Sequence, residues 1–318
     1  MLYSLTPMHI PDGFLSVLVS VVLWVVSIAV IIIALRKTSH QLGEKEVPLM
    51  GILAAAIFAG QMLNFSVTGG TSGHLLGAAL AAILLGPWAA VLVMTTVVAV
   101  QALIFQDGGL LALGANIFNM AILGSFVAWT VYRLLAKVFK GKTSSMLIAG
   151  FGSAWTSIFI ASLACGLQLA FSGTSPANIA VPAMAAIHAL IGLGEGLITV
   201  GALAFIAAVR KDLLVAENGS QGSQKAVLIV GGVLILALVV LSPLASAHPD
   251  GLEWVAEQKG FLDTAQGSLF DIIHDYVFPG LNNEAAATIL AGIIGALIVF
   301  GVATATAISR RKQKTEIG

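Results

Sequence analysis

Apolar runs of about 20 residues follow one another along nearly the whole chain, and a run of that length is what a helix needs to cross the hydrocarbon of a bilayer. They occupy 14–35, 48–65, 88–106, 114–136, 146–171, 182–209, 226–246 and 287–308. A ninth run, 74–86, is short for a span, and Gly86-Pro87 breaks it from the next one. Such a helix is tolerable where neighbouring protein covers it. Charged residues make up 9% of the chain against 58% apolar, whereas a soluble domain carries about a quarter charged residues. So few charges cannot cover a water-facing surface. The expected fold is an all-α polytopic membrane protein with the lipid bilayer as its main solvent: a seven-helix bundle followed by a two-helix C-terminal part.

The basic residues orient the helices. With nine spans and the N-terminus outside, 14 of the 15 lysines and arginines fall in inside loops, and only Lys259 falls outside. The positive-inside rule asks for this bias. Without the short span, Arg133 to Lys142 would lie on the wrong side. The C-terminus is then cytoplasmic. Asp12, Asp107, Asp250 and Glu253 lie on the outside face with other acids, read as solvated loop positions whose field also concentrates cations. The net charge is zero, so nothing points to nucleic acid. Cys165 is the only cysteine and sits in an apolar run, which excludes an intrachain disulfide and a cysteine-type metal site. Residues 1–13 lack a basic residue, unlike a secretory signal peptide.

A Gly/Ser/Gln/Asn-rich stretch at 216–225 reads as a flexible linker. It divides a seven-span domain (8–215) from a two-span accessory domain (226–318) whose external loop covers 247–286. A loop that long points to a functional or docking segment. His9-Ile-Pro-Asp-Gly13 opens the first part and His248-Pro-Asp-Gly251 opens the external loop. Pro-Asp-Gly is a turn former, and the echo reads as a recurrent turn. Leu244-Ala-Ser-Ala247 resembles a signal-peptidase site, although a plain helix end accounts for it better.

Two imidazoles stand out in this hydrocarbon. His9 and His74 lie at the outer ends of predicted spans, His74 at a helix start after the uncharged polar loop 64–73. Imidazole is the commonest protein ligand for borderline transition metals. Were Met8 the first residue, its amine, the His9 amide and the His9 ring would chelate one ion in a plane, with His74 at the fourth corner, a geometry that selects nickel(II) or copper(II). Affinity would then fall in acid, because the donors must lose protons. The chain as given carries seven residues ahead of Met8, so this site needs Met8 to be the working terminus. Gln101, Asn116, Asn119, Gln168, His188 and Glu195 are polar groups at predicted membrane depth, which usually face the bundle interior and mark a pathway or support a site. His188 and Glu195 share a helix face. Glu195 either orients a ligand through hydrogen bonds or holds helices together. Asp107-Gly-Gly109 is a tight external turn placed to lid a pocket.

There is no Gly-x-x-x-x-Gly-Lys-Ser/Thr loop, no His-Glu-x-x-His and no Gly-x-Ser-x-Gly, so P-loop ATP hydrolysis, metalloprotease and serine-hydrolase chemistry lack support. The chain does not read as an enzyme, and no cofactor is expected. The segments Met8-His-Ile-Pro-Asp-Gly-Phe-Leu-Ser16, Gly73-His74, Gln101 to Gly109, Gly114 to Met120 and His188 to Gly196 resemble the CbiM/NikM family, the substrate-capturing components of energy-coupling-factor cobalt and nickel transporters. The second part resembles the fused CbiN/NikN-like accessory component, with Pro249-Asp-Gly-Leu-Glu253 matching its PDGLE motif. The resemblance implies transported Co²⁺ or Ni²⁺ held by Met8, His9 and His74. It also implies a transmembrane coupling subunit and cytoplasmic ATPase subunits as partners. The competing reading is a stand-alone proton-coupled metal transporter with His188 and Glu195 as relay. Cobalt and nickel stay unseparated, because the same nitrogen ligands bind both.

Overall fold

A computed structural model describes residues 8–39, 46–139, 143–209, 224–267, 270 and 272–317. Residues 1–7 and the linker positions 216–223 lie outside the described residues. The apolar runs are helical: α1 (Val17–Ser39), α2 (Glu46–Gln61), α3 (Ala78–Leu85), α4 (Pro87–Ile104), α5 (Leu113–Asn116) continuing through a π-helical stretch (Ile117–Leu123) into α6 (Gly124–Phe139), α7 (Thr143–Phe171), α8 (Ala177–Val209), α9 (Gln224–Leu241) and α11 (Glu284–Ile317). Among the described residues, seven helices are long and apolar enough to cross a membrane, counting Leu113–Phe139 as one. The chain is a multi-pass membrane protein.

The two remaining apolar helices are shorter than the sequence suggested. α2 has 16 residues, most of them buried, so protein rather than lipid covers it. The expected span 74–86 is helical only from Ala78. His74 therefore sits in a non-helical segment ahead of the helix and not at a helix start. Gly77, at φ 81, makes the break.

Non-helical backbone at this depth needs partners for its polar groups, and it has them. The Glu195 carboxylate accepts from Leu76 N (2.6 Å) and Gly77 N (3.0 Å). Gln61 Nε2 donates to the Leu76 carbonyl (2.9 Å). Two buried N–H groups left unpaired would cost about 1–3 kcal/mol apiece. Glu195 is thus buried to satisfy a broken span, and in doing so it fixes the non-helical segment that carries His74.

Small residues set the helix packing. Gly192 and Gly196, one turn apart on α8, receive the rings of Trp155 and Phe151 from α7; an added Cβ would meet them at 2.8 and 2.6 Å. Close packing is the main attraction between helices in lipid, where apolar burial drives nothing. The C-terminal span α11 nests on α2 in the same way, with Gly51 against Phe300 and Gly295 against Phe58.

The 64–73 loop is a small antiparallel hairpin, β1 (Phe65–Val67) paired with β2 (Thr71–Gly73). The C-terminal loop docks on it from Ser246 onward. Ser72 N donates to the Pro249 carbonyl (2.8 Å), Ser72 Oγ to the His248 carbonyl (2.8 Å) and Ser246 N to the Asn64 carbonyl (2.8 Å). The segment also contains α10 (Gly251–Lys259). The PDGLE motif is its start signal: Asp250 is the N-cap, accepting from Glu253 N at 2.7 Å, and Glu253 stands at the third helical position, a capping-box spacing.

Candidate metal centre

The segment 8–16 does not leave the bundle. It folds back into it, held by side chains that grip its backbone. Asn116 accepts from Ile10 N and donates to the Ile10 carbonyl, both at 3.0 Å. The Ile10 carbonyl also accepts from Gly109 N (3.0 Å). Asp12 accepts from Leu110 N (3.0 Å) and Ala112 N (2.9 Å). The turn then needs Gly13, at φ +92, where a Cβ would lie 2.0 Å from the Thr264 carbonyl oxygen. Thr264 belongs to the docked C-terminal segment, so the turn is closed from both ends of the chain.

This folding buries His9, which is 4% exposed. Its Nδ1 faces the Asp107 carbonyl oxygen at 3.2 Å and Asp107 Oδ1 at 3.4 Å. With Nδ1–H donated there, the Nε2 lone pair is left free, and Nε2 has no hydrogen-bond partner. The His74 Nδ1 likewise faces a carbonyl, that of Leu75, at 3.0 Å. Metal-ligating histidines are usually held this way through the other ring nitrogen.

The two rings meet edge to face with centroids 5.5 Å apart. An ion about 2 Å from one nitrogen of each ring lies roughly 3 Å from each centroid, so rings sharing an ion sit about 4.5–6.5 Å apart. The observed spacing is within that range. Among the described residues no group of three His, Cys, Asp or Glu side chains forms a ligand set, so further donors would come from the backbone at Met8 and His9 or from water. A chelate that includes the His9 amide must close through Nδ1, at the expense of the Asp107 bond.

Both histidines border a cavity of about 90 Å³. Met8, Asn116, Asn119, His188, Met120, Cys165 and Met184 line it too. Asn119 lies on the π-helical stretch and pairs reciprocally with Gln168 at 2.7 and 2.8 Å. His188 Nδ1 faces the Met184 carbonyl (2.9 Å). Gln101 and Glu195 do not line it. Gln101 is buried beneath the 105–107 turn, its carbonyl accepting from Phe105 N and Asp107 N.

Four further contributors were not read as site residues. Asp250, Gly251 and Leu252 complete the cavity wall, so the C-terminal segment forms the lid that the Asp107 turn was expected to provide. Asp107 holds His9 instead. Asp12, Asp107 and Asp250 were expected in solvated loops; Asp107 and Asp250 are 3% and 4% exposed, and Asp12 is half-buried. Burial, and after it the negative charges of Glu253 and Asp107, push the Asp250 carboxyl well above the usual range. The signal that could have singled out Asp107 is its place between Gln106 and two glycines: a carboxylate in a tight, uncharged turn has few partners besides a nearby imidazole.

Residues 9–213 match the family described as the cobalt uptake substrate-specific transmembrane region (CbiM), and residues 224–312 match the PDGLE domain. A NikMN relative from Archaeoglobus fulgidus is 37% identical over 298 residues, 93% of this chain and 96% of its own length. The fused nickel transport protein NikMN of Rhodobacter capsulatus is 34% identical, covering 79% of this chain and 76% of its own. The cobalt transport protein CbiM of Sorangium cellulosum is 36% identical over 170 residues, 52% of this chain and 76% of its own. A crystal structure of a transition metal transporter superposes with a TM-score of 0.57 at 35% identity, covering 64% of this chain and 94% of that one.

Proposed function

The chain belongs to the CbiM family of cobalt-uptake transmembrane proteins with a PDGLE domain behind it, and on that premise we propose that it captures Co²⁺ or Ni²⁺ for import, with Met8, His9 and His74 at the ion. The observation that carries this reading is the pair of edge-to-face imidazoles, His9 buried and His74 half-buried, each with Nδ1 turned to a carbonyl. Where Met8 is the mature terminus, its amine is a third nitrogen donor. Residues 8–215 form the capture domain in this reading, and residues 226–318 the accessory domain, which closes the cavity through Asp250, Gly251 and Leu252.

In this reading the site faces outside, the N-terminus lies on that side and the C-terminus is cytoplasmic, the arrangement that the lysine and arginine distribution favours. The chain carries no ATP-binding loop, so energy comes from a transmembrane coupling subunit and cytoplasmic ATPases of an energy-coupling-factor importer. His188 and Asn119, on the wall of the same cavity, mark the ion's path. Against a proton relay through His188 and Glu195 stands the double engagement of Glu195 by Leu76 N and Gly77 N. That leaves the carboxylate serving the backbone.

Calorimetric titration of the purified chain with Ni²⁺ and Co²⁺, with its N-terminus mapped by mass spectrometry, tests the reading. His9→Ala and His74→Ala are each expected to abolish binding. Retained affinity in either would end it. A chain that keeps Met1 and binds fully would remove the amine from the ligand set. Deleting 226–318 should cut uptake while leaving the protein in the membrane, and unchanged uptake would deny the accessory domain its role.

A further inference from the structure

A second cavity, of about 280 Å³, lies at the seam between the capture domain and the accessory part, among α2, α9 and α11. Ile52 and Ala55 of α2, Gly232 and Leu236 of α9, and Leu297 and Phe300 of α11 help to line it, and every described residue on its wall is apolar or glycine. Glycines explain its place. α9 is seated on α2 through Gly231 against Ile52, and α11 through Gly51 against Phe300. At the end nearer segment 242–283 the two accessory helices touch, Gly292 against Val239. Two turns away along α9, a Cβ on Gly232 would meet nothing within 4 Å. The seam is therefore tight at one end and open beyond it. It opens sideways, since Gly232, Leu236 and Leu297 are exposed.

Water does not fill such a space: an apolar hollow of about 150 Å³ stays dry, yet takes up benzene or xenon. Left empty, it forfeits the dispersion contacts on which helix packing in lipid depends. The cavity runs from Leu228 to Val239, about 16 Å along α9 at the helical rise per residue. That is close to half of the roughly 30 Å of bilayer hydrocarbon, the depth that one leaflet's acyl chain covers.

The open end of the seam is basic. Measured from the Val239–Gly292 contact, Lys225 lies about 21 Å away along α9 and Arg310 about 27 Å away along α11. Both therefore stand just past the last cavity residue, Leu228, at the level where headgroups begin. Lys225 is exposed. Arg310 Nη2 donates to the neighbouring Ser309 Oγ (3.1 Å), and Arg310 Nε is buried without a hydrogen-bond partner. A buried guanidinium N–H calls for an acceptor, and phosphate is an ordinary one for both residue types.

We propose that the cavity holds one acyl chain of an anionic phospholipid, whose phosphate sits at Lys225 and Arg310. The chain fills the wedge between α9 and α11 and packs the accessory part onto α2. Those two helices flank the segment that brings Asp250, Gly251 and Leu252 to the ion cavity, so the lipid seats both arms of that lid. Nothing in this inference depends on which atoms hold the ion.

The full-length chain is purified in detergent, washed free of loose lipid and then reloaded with phosphatidylglycerol or phosphatidylcholine. Bound lipid is counted by native mass spectrometry, and thermal unfolding and oligomeric state are recorded. The parent is expected to keep one phospholipid per chain, to prefer phosphatidylglycerol about tenfold and to gain in unfolding midpoint on reloading. Gly232→Leu fills the cavity from α9, and Leu297→Trp fills it from α11, so either serves if the other does not fold. Each should lose the retained lipid and the midpoint gain. The Lys225→Gln/Arg310→Gln double variant should keep a lipid and lose the preference for phosphatidylglycerol. A parent that retains and reloads no lipid, or filled variants that hold as much as the parent, overturns the inference. So does a preference for phosphatidylglycerol that survives in the double variant. A parent dimer that Gly232→Leu turns into a monomer gives the cavity to a second copy of the chain and overturns it as well.

Discussion

Two Pro-Asp-Gly turns, each shortly after a histidine, lie at opposite ends of this chain and do different work. In Pro11-Asp12-Gly13 the carboxylate reaches across the sequence to Leu110 N and Ala112 N, and Gly13 takes a positive φ. In Pro249-Asp250-Gly251 the carboxylate serves its own neighbour, capping α10 through Glu253 N, and Gly251 enters the helix as its first residue. His9 is buried against His74, whereas His248 is exposed and contributes its carbonyl to Ser72. The tripeptide supplies a turn; what the turn is for depends on what lies opposite. The first aims an imidazole at a cavity, and the second lays a helix start over it.

Substitutions that treat the two turns alike should therefore give unlike results. The largest difference is expected at the histidines: His9→Ala abolishes Ni²⁺ binding in a calorimetric titration, and His248→Ala leaves it within twofold. Equal effects would dissolve the contrast. The aspartates come next. Asp12→Ala strands two long-range N–H donors and should cost about 2–3 kcal/mol in denaturant unfolding, whereas Asp250→Ala loses one cap and should cost about 1 kcal/mol. The glycines differ least. Gly13→Ala forces a Cβ onto the Thr264 backbone at positive φ and should cost about 1–2 kcal/mol. Gly251→Ala meets only the side chains of Ile191 and His188, which can shift. A thermal melt of the two variants orders them, and a Gly251→Ala chain less stable than Gly13→Ala would reverse the assignment of which turn is strained.

A third region sharpens the point about backbone. Glu195→Leu removes both acceptors from segment 74–77, so it should loosen His74 and weaken Ni²⁺ binding while His9 stays pinned by Asp107 and Asn116. Affinity equal to the parent's would mean that the broken span holds its shape without help.

The helices were legible because the bilayer imposes one length and one polarity on anything that crosses it. The same reasoning failed at His74, where an apolar run looked like a helix start but Gly77 and the Glu195 carboxylate hold a non-helical segment. Nor did periodicity announce the π-helical stretch Ile117–Leu123, which carries Asn119 at the cavity wall. Asp107 and Asp250 read as loop acids because a carboxylate's burial depends on partners that lie far away in the chain.

From the order of its residues alone, this chain determined that it spans a membrane, how many apolar helices it has and which two imidazoles stand apart from the hydrocarbon, since those follow from local composition and from the solvent around it. Only the tertiary structure decided that the two rings meet, that Asp107 turns the first of them, and that the far end of the chain closes the cavity and reaches Asp107 through Tyr276. Those contacts join segments some 65 to 240 residues apart, and no local preference encodes a partner at that distance; packing in three dimensions selects it.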